Sequence, residues 1–433
     1  MSRTHICTLC TLCTLLWTGM GIAEAAPLTY RYKHFLFPIN SAQHPEWKSA
    51  TEVWTWEGRE IAPDPSWRVD GDAIPPLPPG VRRSLQWTWN RAAIRATIDR
   101  VAGKALVRNP GDVTITRDEK GNIRFSGVGL TGRAVDLDTA ADLTIGALQA
   151  GVTEIELPVR ETQPQLQVED PQLRAMGITE VVTIGESDFS RSPVNRRHNI
   201  GVGLARFNGT LIPAGSTFSF NAVLGRVDQT TGYKMELVIK GDRTEPDYGG
   251  GLCQISTTAY RGIWEYGFPI VRRRNHSYTV RYYAPPGTDA TVYPGAADMV
   301  FMNDLPHALL IQTHRENDMA YFIYYGTRDR RVTDLLGPFV TGKKDPPPDK
   351  IELTTDLPPG EKKKLNERVP GLTAVWYRYL QPETGSGSRE KVVSIYEARP
   401  LFTAVGVLEL PPGYAPGGSG SVLLYTEDAV PDR

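Results

Sequence analysis

The chain has 433 residues, and its 48 basic and 49 acidic side chains leave a formal net charge of −1. This balance excludes electrostatic capture of nucleic acid or of an anionic membrane as the basis of function. The length exceeds what one hydrophobic core usually supports, and the 41 glycines and 34 prolines favour many turns. We therefore expect an α+β protein, rich in strands, with two or three domains.

The first 26 residues are typical of a secretory signal peptide. A charged start precedes an apolar run that is too short to span a bilayer and ends in the small-residue sequence AEA at 23–25. Cleavage after Ala25 or Ala26 would give an exported, soluble protein, secreted, periplasmic or associated with the cell wall, with no membrane span. It would also remove three of the four cysteines and leave Cys253 as the single thiol.

The next segment, residues 27–86, is rich in Trp and Pro. Its aromatic rings could stack on glycans, but Trp side chains in such a segment more often pack against a neighbouring domain, and we favour packing. Residues 87–103 then carry apolar side chains at helical spacing and end at Gly103, which predicts a helix.

A hairpin, a second helix and a strand follow. Residues 112–127 alternate apolar and polar on either side of the sequence EKGN, which is a β-hairpin pattern. The second helix begins with Asp136 or Asp138 as its cap and ends at Gly151, before the strand-like sequence TEIELPVRE. Together with the first helix, these elements predict a small α+β domain over residues 87–180.

The remaining thiol lies in the sequence GGGLCQISTTAYRGIWEYG. Apolar residues recur at helical spacing after Cys253, and Gly267 stops the pattern. Cys253 therefore lies at or just before the amino terminus of a helix, where the helix dipole and free backbone N–H groups lower the pKa of a thiol. The same N–H groups can bind an oxyanion, so one geometry would activate a nucleophile and stabilise its transition state.

A thiolate that attacks an acyl group needs a partner that holds and returns its proton, usually a histidine. His276 follows at the start of the strand-like sequence SYTVRYY. Asp289, in GTDATVY, reads as part of the next strand and could orient the imidazole. This order is similar to that of transglutaminase-like and papain-like thiol enzymes, and it predicts Cys253, His276 and Asp289 as a catalytic triad.

Several residues near the triad are candidates for substrate binding. Glycines before the thiol would let the backbone approach a ligand closely, and a basic side chain beside His276 could hold an acidic group of the substrate. Polar side chains that follow the thiol complete the set. The candidates are Gly249, Gly250, Gly251, Gln254, Ser256 and Arg274.

Each of these features also has a plainer interpretation. The triple glycine can be only a turn, Cys253 a small buried apolar residue, His276 a structural residue, and Asp289 the cap of a type I turn. No metal or cofactor is expected, because no Cys or carboxylate stands near a histidine at zinc-ligand spacing and no phosphate-binding loop occurs.

Beyond residue 311 the pattern changes to short strands, such as MAYFIYYGT and GLTAVWYRYL. Residues 341–350 are rich in Pro and charged side chains, which predicts a semi-rigid linker. A β module over residues 351–410 and a flexible tail over residues 411–433 would complete the chain.

Several blocks of the sequence resemble known families. Residues 89–179, with GRAVDLDTAADLTIGAL and ELPVRETQPQL, are similar to a peptidoglycan-binding-like domain found ahead of VanW domains. The blocks NRRHNI, NGTLIPAGSTFSFNAVLG, GGGLCQISTTAY and RNHSYTVRYYAPPGTDATVYPGAADMVFMND resemble the VanW family of vancomycin-resistance clusters. Residues 181–340 are accordingly identified as a VanW domain, and residues 351–410 are similar to the G5-like β module sometimes appended to it.

Two classes of function follow from the resemblance and the residues together. The first is a thiol-dependent hydrolase or acyltransferase that acts on peptide or amide bonds of peptidoglycan. The second is a non-catalytic envelope protein, linked to glycopeptide resistance, that binds peptidoglycan through residues 89–179 and uses GGGLCQIST only as a turn. In both, the expected partner is peptidoglycan or its peptide stems.

Overall fold

The computed structural model describes residues 27–64, 77–240, 243–412, 414 and 423–424. The signal-like segment and most of the expected tail lie outside these residues, so both stay predictions. The described part consists mainly of strands with a smaller number of helices, which confirms the α+β class. None of the helices in these ranges combines the length and the apolar character that crossing a membrane requires.

The chain divides into two compact units. The first comprises the described residues up to 32, residues 36–105 and residues 135–158, and the second comprises residues 33–35, 106–134 and the chain from 159 onward. The hairpin expected at 112–127 therefore groups with the second unit, whereas the helices that flank it in sequence group with the first. The wall-binding-like domain over residues 87–180 stays a prediction.

The first unit holds two capped helices, Arg91–Ile98 and Leu137–Ala150. The side chains of Asn90 and Asp136 cap them, each accepting a hydrogen bond of 3.1 Å from a backbone N–H of the first turn. The first helix begins later than residue 87, because the chain before Asn90 forms the strand Val81–Trp89. The second helix begins at one of the two caps expected from the sequence.

Short sheets complete the first unit. The Trp-rich segment is packed only in part: Trp47 and Trp54 are buried, Trp56 is half exposed, and Trp67 lies outside the described residues. The strands that lie wholly or mainly in this unit are Pro27–Tyr32, Phe35–Asn40, Lys48–Trp56, Arg59–Ile61, Val81–Trp89 and Glu154–Glu156.

The second unit begins with the expected hairpin. Strands Asp112–Arg117 and Ile123–Gly127 pair antiparallel, and Gln165–Val168 pairs parallel with the first of them. The sequence TEIELPVRE contributes two strands rather than one. The remaining elements before residue 180 are the strand Gly132–Val135, its partner Val159–Thr162, and the short helix Pro171–Ala175.

The second unit is organised around a four-stranded antiparallel sheet, the central sheet. Its strands, in spatial order, are Glu180–Asp188, Met319–Gly326, Leu309–Glu316 and Leu211–Ile212. Two helices pack on this sheet: Val194–Phe207, and Leu252–Tyr266, here called the cysteine helix. The cysteine helix ends at Gly267, which adopts the left-handed conformation expected of a helix stop.

Two glycines allow the cysteine helix to lie directly against the central sheet. A Cβ atom on Gly185 of the sheet would lie 1.9 Å from the carbonyl oxygen of Thr258, and a Cβ on Gly262 would lie 2.5 Å from the backbone nitrogen of Gly185. Side chains reinforce this contact, because the Thr183 hydroxyl donates to the carbonyl oxygen of Gly262 at 2.9 Å. The position of the thiol is therefore set by backbone-to-backbone packing.

Smaller sheets and a carboxy-terminal β region, defined as residues 332–406, complete the second unit. Residues 341–344, expected to open the linker, instead end the strand Val332–Lys344, because that strand pairs along Gly371–Gln381. The other elements are Thr217–Ser219, Phe220–Leu224, Met235–Lys240, Arg243–Tyr248, Ile270–Arg272, Val300–Met302, Lys350–Thr354, Lys362–Lys364, Ser388–Tyr396, Phe402–Gly406 and Leu423–Leu424.

Candidate active site

The three glycines before the thiol are required by the fold itself. Gly249 and Gly251 have φ angles of 82° and 114°, a conformation that other residues rarely adopt. A Cβ atom on Gly250 would lie 2.8 Å from the Cβ atom of Glu236 in the neighbouring hairpin. The glycines that were expected to approach a ligand therefore approach protein atoms, and they form the turn that starts the cysteine helix.

Cys253 is the second residue of the cysteine helix, and its side chain is partly exposed. The backbone N–H groups of its two chain neighbours donate to the carbonyl oxygens of Gly249 and Gly251, at 3.1 and 3.0 Å. Within the described residues, the N–H of Cys253 itself has no acceptor. It is therefore available to a ligand oxygen at the positive end of the helix dipole.

His276 and Asp289 bind each other in the interior beside this helix terminus. The Nδ1 atom of His276 lies 2.6 Å from Oδ2 of Asp289, and the same oxygen accepts the backbone N–H of His276 at 2.8 Å. The imidazole ring stacks on Tyr283 with ring centroids 4.6 Å apart. Because the carboxylate holds Nδ1, Nε2 is the nitrogen left to exchange a proton with Cys253, and the two side chains are close enough to shift each other's pKa. The sulfur itself lies 3.5 Å from the Thr291 hydroxyl and 3.6 Å from the carbonyl oxygen of Val292. The three residues predicted as a triad thus lie together.

The strands expected at His276 and Asp289 are absent, and both residues lie in irregular loops. Side chains take the backbone N–H groups that a strand would use for pairing. The N–H of His276 donates to Asp289, and the N–H of Ala290 donates to the Thr257 hydroxyl at 3.1 Å. The apolar alternation in this segment therefore reflects burial of alternate side chains rather than a sheet.

The pKa values of Cys253 and His276 favour an ion pair. Burial by itself raises the pKa of Cys253, but the charge of His276 and hydrogen bonds from His276 and Thr291 lower it to about 7. Burial by itself lowers the pKa of His276, but the charge of Cys253 and hydrogen bonds with Asp289 and Cys253 raise it to about 9. Because the thiol loses its proton at the lower pH, the thiolate–imidazolium form dominates between these values.

Two residues that the sequence did not single out bind Oδ1 of Asp289, the carboxylate oxygen that does not contact His276. The hydroxyl of Tyr396 donates to Oδ1 of Asp289 and accepts the backbone N–H of Gly287 at 2.7 Å. Arg273 donates to the same Oδ1 at 3.2 Å and to the Asp289 carbonyl oxygen at 2.6 Å. Burial by itself raises the pKa of Asp289, but the hydrogen bond and charge of His276 and the charge of Arg273 keep it below its usual range.

The polar residues expected to bind substrate have other positions. Gln254 and Ser256 are fully buried, and they donate to the Ser187 hydroxyl at 2.7 Å and the Ala290 carbonyl oxygen at 2.6 Å. They hold the loop of Asp289 and the edge of the central sheet instead. Arg274 is exposed, whereas its neighbour Arg273 points inward. No group of three or more His, Cys, Asp and Glu side chains within the described ranges could hold a metal ion.

Comparison with known proteins locates this site in a family. The family model described as VanW like protein matches residues 195–324. The uncharacterized protein YoaR of Bacillus subtilis is 34% identical over 178 residues, which are 41% of this chain and 57% of YoaR. The vancomycin B-type resistance protein VanW of Enterococcus faecalis is 30% identical over 116 residues, 25% of this chain and 42% of that protein. The chain thus spans about half the length of the curated relatives it matches. Residues 195–324, which contain Cys253, His276 and Asp289, therefore form a VanW-like domain, as the sequence blocks indicated.

Proposed function

We propose that this chain is an exported cell-envelope enzyme that hydrolyses or transfers peptide or amide bonds of peptidoglycan through a thioester on Cys253. One observation carries the proposal: a partly exposed sulfur at a helix amino terminus lies close enough to an imidazole for each to shift the other's pKa, and the Nδ1 atom of that imidazole is held by a buried carboxylate. The vancomycin resistance after which one relative is named, together with the wall-binding-like resemblance of residues 89–179, supports peptidoglycan as the substrate.

The geometry supports a complete acyl-transfer sequence. The Cys253 thiolate attacks the carbonyl carbon, and the free N–H of Cys253 donates to the oxygen that becomes negative. His276, already protonated in the ion pair, gives its Nε2 proton to the departing amine, which leaves a thioester. Water or a second amine then attacks the thioester while His276 takes its proton, and the sulfur leaves as thiolate. Asp289 fixes the imidazole through Nδ1 in both steps.

Thiol reactivity tests this proposal without knowledge of the substrate. Alkylation of Cys253 by iodoacetamide is expected to rise with pH and to level off above about 7, because burial is outweighed by the charge and hydrogen bonds of His276 that lower the thiol pKa. Hydrolytic or transfer activity is expected to fall again above about 9, because the imidazolium that protonates the leaving amine is then lost. Activity therefore follows a bell-shaped profile, whereas alkylation does not fall on the basic side.

The denatured protein is the control for this experiment, since its thiol should titrate near the ordinary value of about 8.5. A non-catalytic wall-binding protein is the alternative function. It predicts that Cys253 is labelled slowly in the native state and rapidly only after denaturation. That result would remove the thiol-enzyme proposal and leave the binding role.

Tyr396 is expected to position Asp289, although it lies outside the residues that match the family model. Tyr396→Phe removes one buried hydroxyl that donates to the carboxylate and accepts a backbone N–H, so the loop that carries Asp289 loosens. We expect activity to fall about tenfold and stability to fall by about 1–3 kcal/mol. Because the imidazolium is then held less firmly, the pKa of Cys253, read from the alkylation profile, should rise.

Tyr379→Phe is the matched control for Tyr396→Phe, because Tyr379 is exposed in the same β region and has no contact with the triad. It should change neither the melting temperature nor the thiol pKa. A role of Tyr396 in stability alone predicts a lower melting temperature with an unchanged thiol pKa, and that pattern would contradict positioning.

A further inference from the structure

Arg196, in the sequence block NRRHNI, is a buried cation near the thiol that the proposed chemistry does not use. Its guanidinium group donates to the Ser192 hydroxyl at 2.6 Å, the Gln254 side-chain oxygen at 3.0 Å and the Tyr283 hydroxyl at 3.4 Å. These three acceptors are neutral. Within the described ranges, no carboxylate lies at ion-pair distance from Arg196, and two of its five N–H donors have no acceptor.

A buried charge without a counter-ion is costly, and proteins normally pair it. Two other buried arginines of the second unit are paired in this way, because Arg133 bonds to Glu186 and Arg378 bonds to Glu390. A third, Arg261, has only neutral oxygens as hydrogen-bond acceptors among the described residues. The acidic residue beside the Gln254 contact, Asp188, uses its carboxylate to accept from the N–H and hydroxyl of Ser190. The missing counter-charge of Arg196 is therefore one that a ligand can supply.

The guanidinium group of Arg196 lies next to the catalytic residues. Its Tyr283 contact is the ring that stacks on His276. The Cγ atom of Arg196 lies 3.1 Å from where a Cβ of Gly251 would be, directly before the cysteine helix. A group bound at Arg196 would therefore lie one aromatic ring away from the imidazole and beside the helix terminus that carries the sulfur.

A second cation adds to the positive charge at this place. The guanidinium groups of Arg196 and Arg281 lie 4.2 and 5.0 Å from the ring centroid of Tyr282, and Arg281 is exposed to solvent. Burial by itself raises the pKa of Tyr282, but hydrogen bonds from Arg281 and Ser192 and the charge of Arg196 lower it. The positive field thus reaches from the interior at Arg196 to the surface at Arg281.

We propose that Arg196, assisted by Arg281, binds a carboxylate group of the substrate. This inference rests on the proposed thiol chemistry and specifies its substrate class: an acyl donor that carries a free carboxylate close to the bond attacked by Cys253. A peptide with a free carboxyl terminus or an acidic side chain near that bond has this chemistry, whereas its amide does not.

Two maleimides of equal length test the inference, 3-maleimidopropionic acid and 3-maleimidopropionamide. In each, the Cys253 thiolate adds to the carbon–carbon double bond and the neighbouring carbon takes a proton from water, so only the carboxylate differs. For each thiol, the rate with the acid is divided by the rate with the amide, and the protein's ratio is then divided by that of N-acetylcysteine. We expect this normalised ratio to be about ten for the native protein. Arg196→Gln should bring that normalised ratio close to one.

Arg197→Gln is the matched control, since Arg197 lies on the same helix and is paired with Asp318, and it should keep the native ratio. Arg281→Gln changes an exposed residue, so the variant is expected to fold, and it should lower the ratio in part even if Arg196→Gln proves unstable. Equal ratios in the native protein, in Arg196→Gln and in Arg281→Gln would overturn the carboxylate site. Failure of the thiol chemistry itself would appear differently, as slow addition of both maleimides to the native protein near pH 7.

Discussion

Cys253→Ala and His276→Ala are each expected to lower the turnover of peptidoglycan fragments by about a thousandfold or more, and the double variant is expected to lower it little further. In the proposed mechanism the thiolate is one half of an ion pair with His276, so either change removes the reactive form. Asp289→Asn should cost less, because it misorients the imidazole without deleting it. Release of peptide or amine from purified peptidoglycan, measured beside melting temperature, checks these values.

Cys253→Ser is the control that separates chemistry from packing, since it keeps the size of the side chain. A structural role for the sulfur predicts that Cys253→Ala mainly lowers stability and that the folded fraction keeps any function. A Cys253→Ser protein with normal melting and full activity would show that this sulfur is not a nucleophile.

Gly262→Ala is expected to lower the free energy of unfolding by about 3 kcal/mol, at the upper end of the usual cost of overpacking and a large effect for a single methyl group. The new Cβ would lie 2.5 Å from the backbone nitrogen of Gly185 and 2.9 Å from its Cα atom. Backbone atoms of a strand in the central sheet cannot turn aside as a side chain can, so the cysteine helix must move away from the sheet. Chemical denaturation of the native and variant proteins measures the difference.

Gly146→Ala is the matched control, because Gly146 also lies inside a helix but a Cβ there would meet no atom within 4 Å. The same substitution should stabilise that helix by about 0.5–1 kcal/mol, because alanine loses less backbone entropy on folding. Equal stability of Gly262→Ala and Gly146→Ala would mean that the cysteine helix does not touch the central sheet at Gly185.

Local patterns in the sequence predicted the elements that local forces control. The hairpin at 112–127, the cap at Asp136 and the stop of the cysteine helix at Gly267 all occur as expected. The start of the first helix differs from the expected residue 87, because the residues before Asn90 form a strand instead of extending the helix. Turn residues and caps act within a few positions, so the sequence around them contains the necessary information.

The sequence predicted the residues of the candidate site less well than it predicted the local elements. Spacing alone pointed to Cys253, His276 and Asp289, but it also pointed to Gln254 and Ser256, whose hydrogen bonds are all internal, and to Arg274 rather than its neighbour. Whether a polar side chain faces a ligand or the protein depends on which distant segment covers it. No local pattern reports that.

The sequence by itself determined the α+β class, the family of residues 195–324 and the placement of one thiol at a helix terminus, because composition, motif blocks and helix-end residues are properties of short stretches of chain. Tertiary structure decided the rest. It set the helix on the sheet through Gly185 and Gly262, brought Tyr396 to the carboxylate from 107 positions away, and left Arg196 buried without a carboxylate partner among the described residues. These contacts join segments far apart in the chain, and only the folded arrangement determines which of them meet.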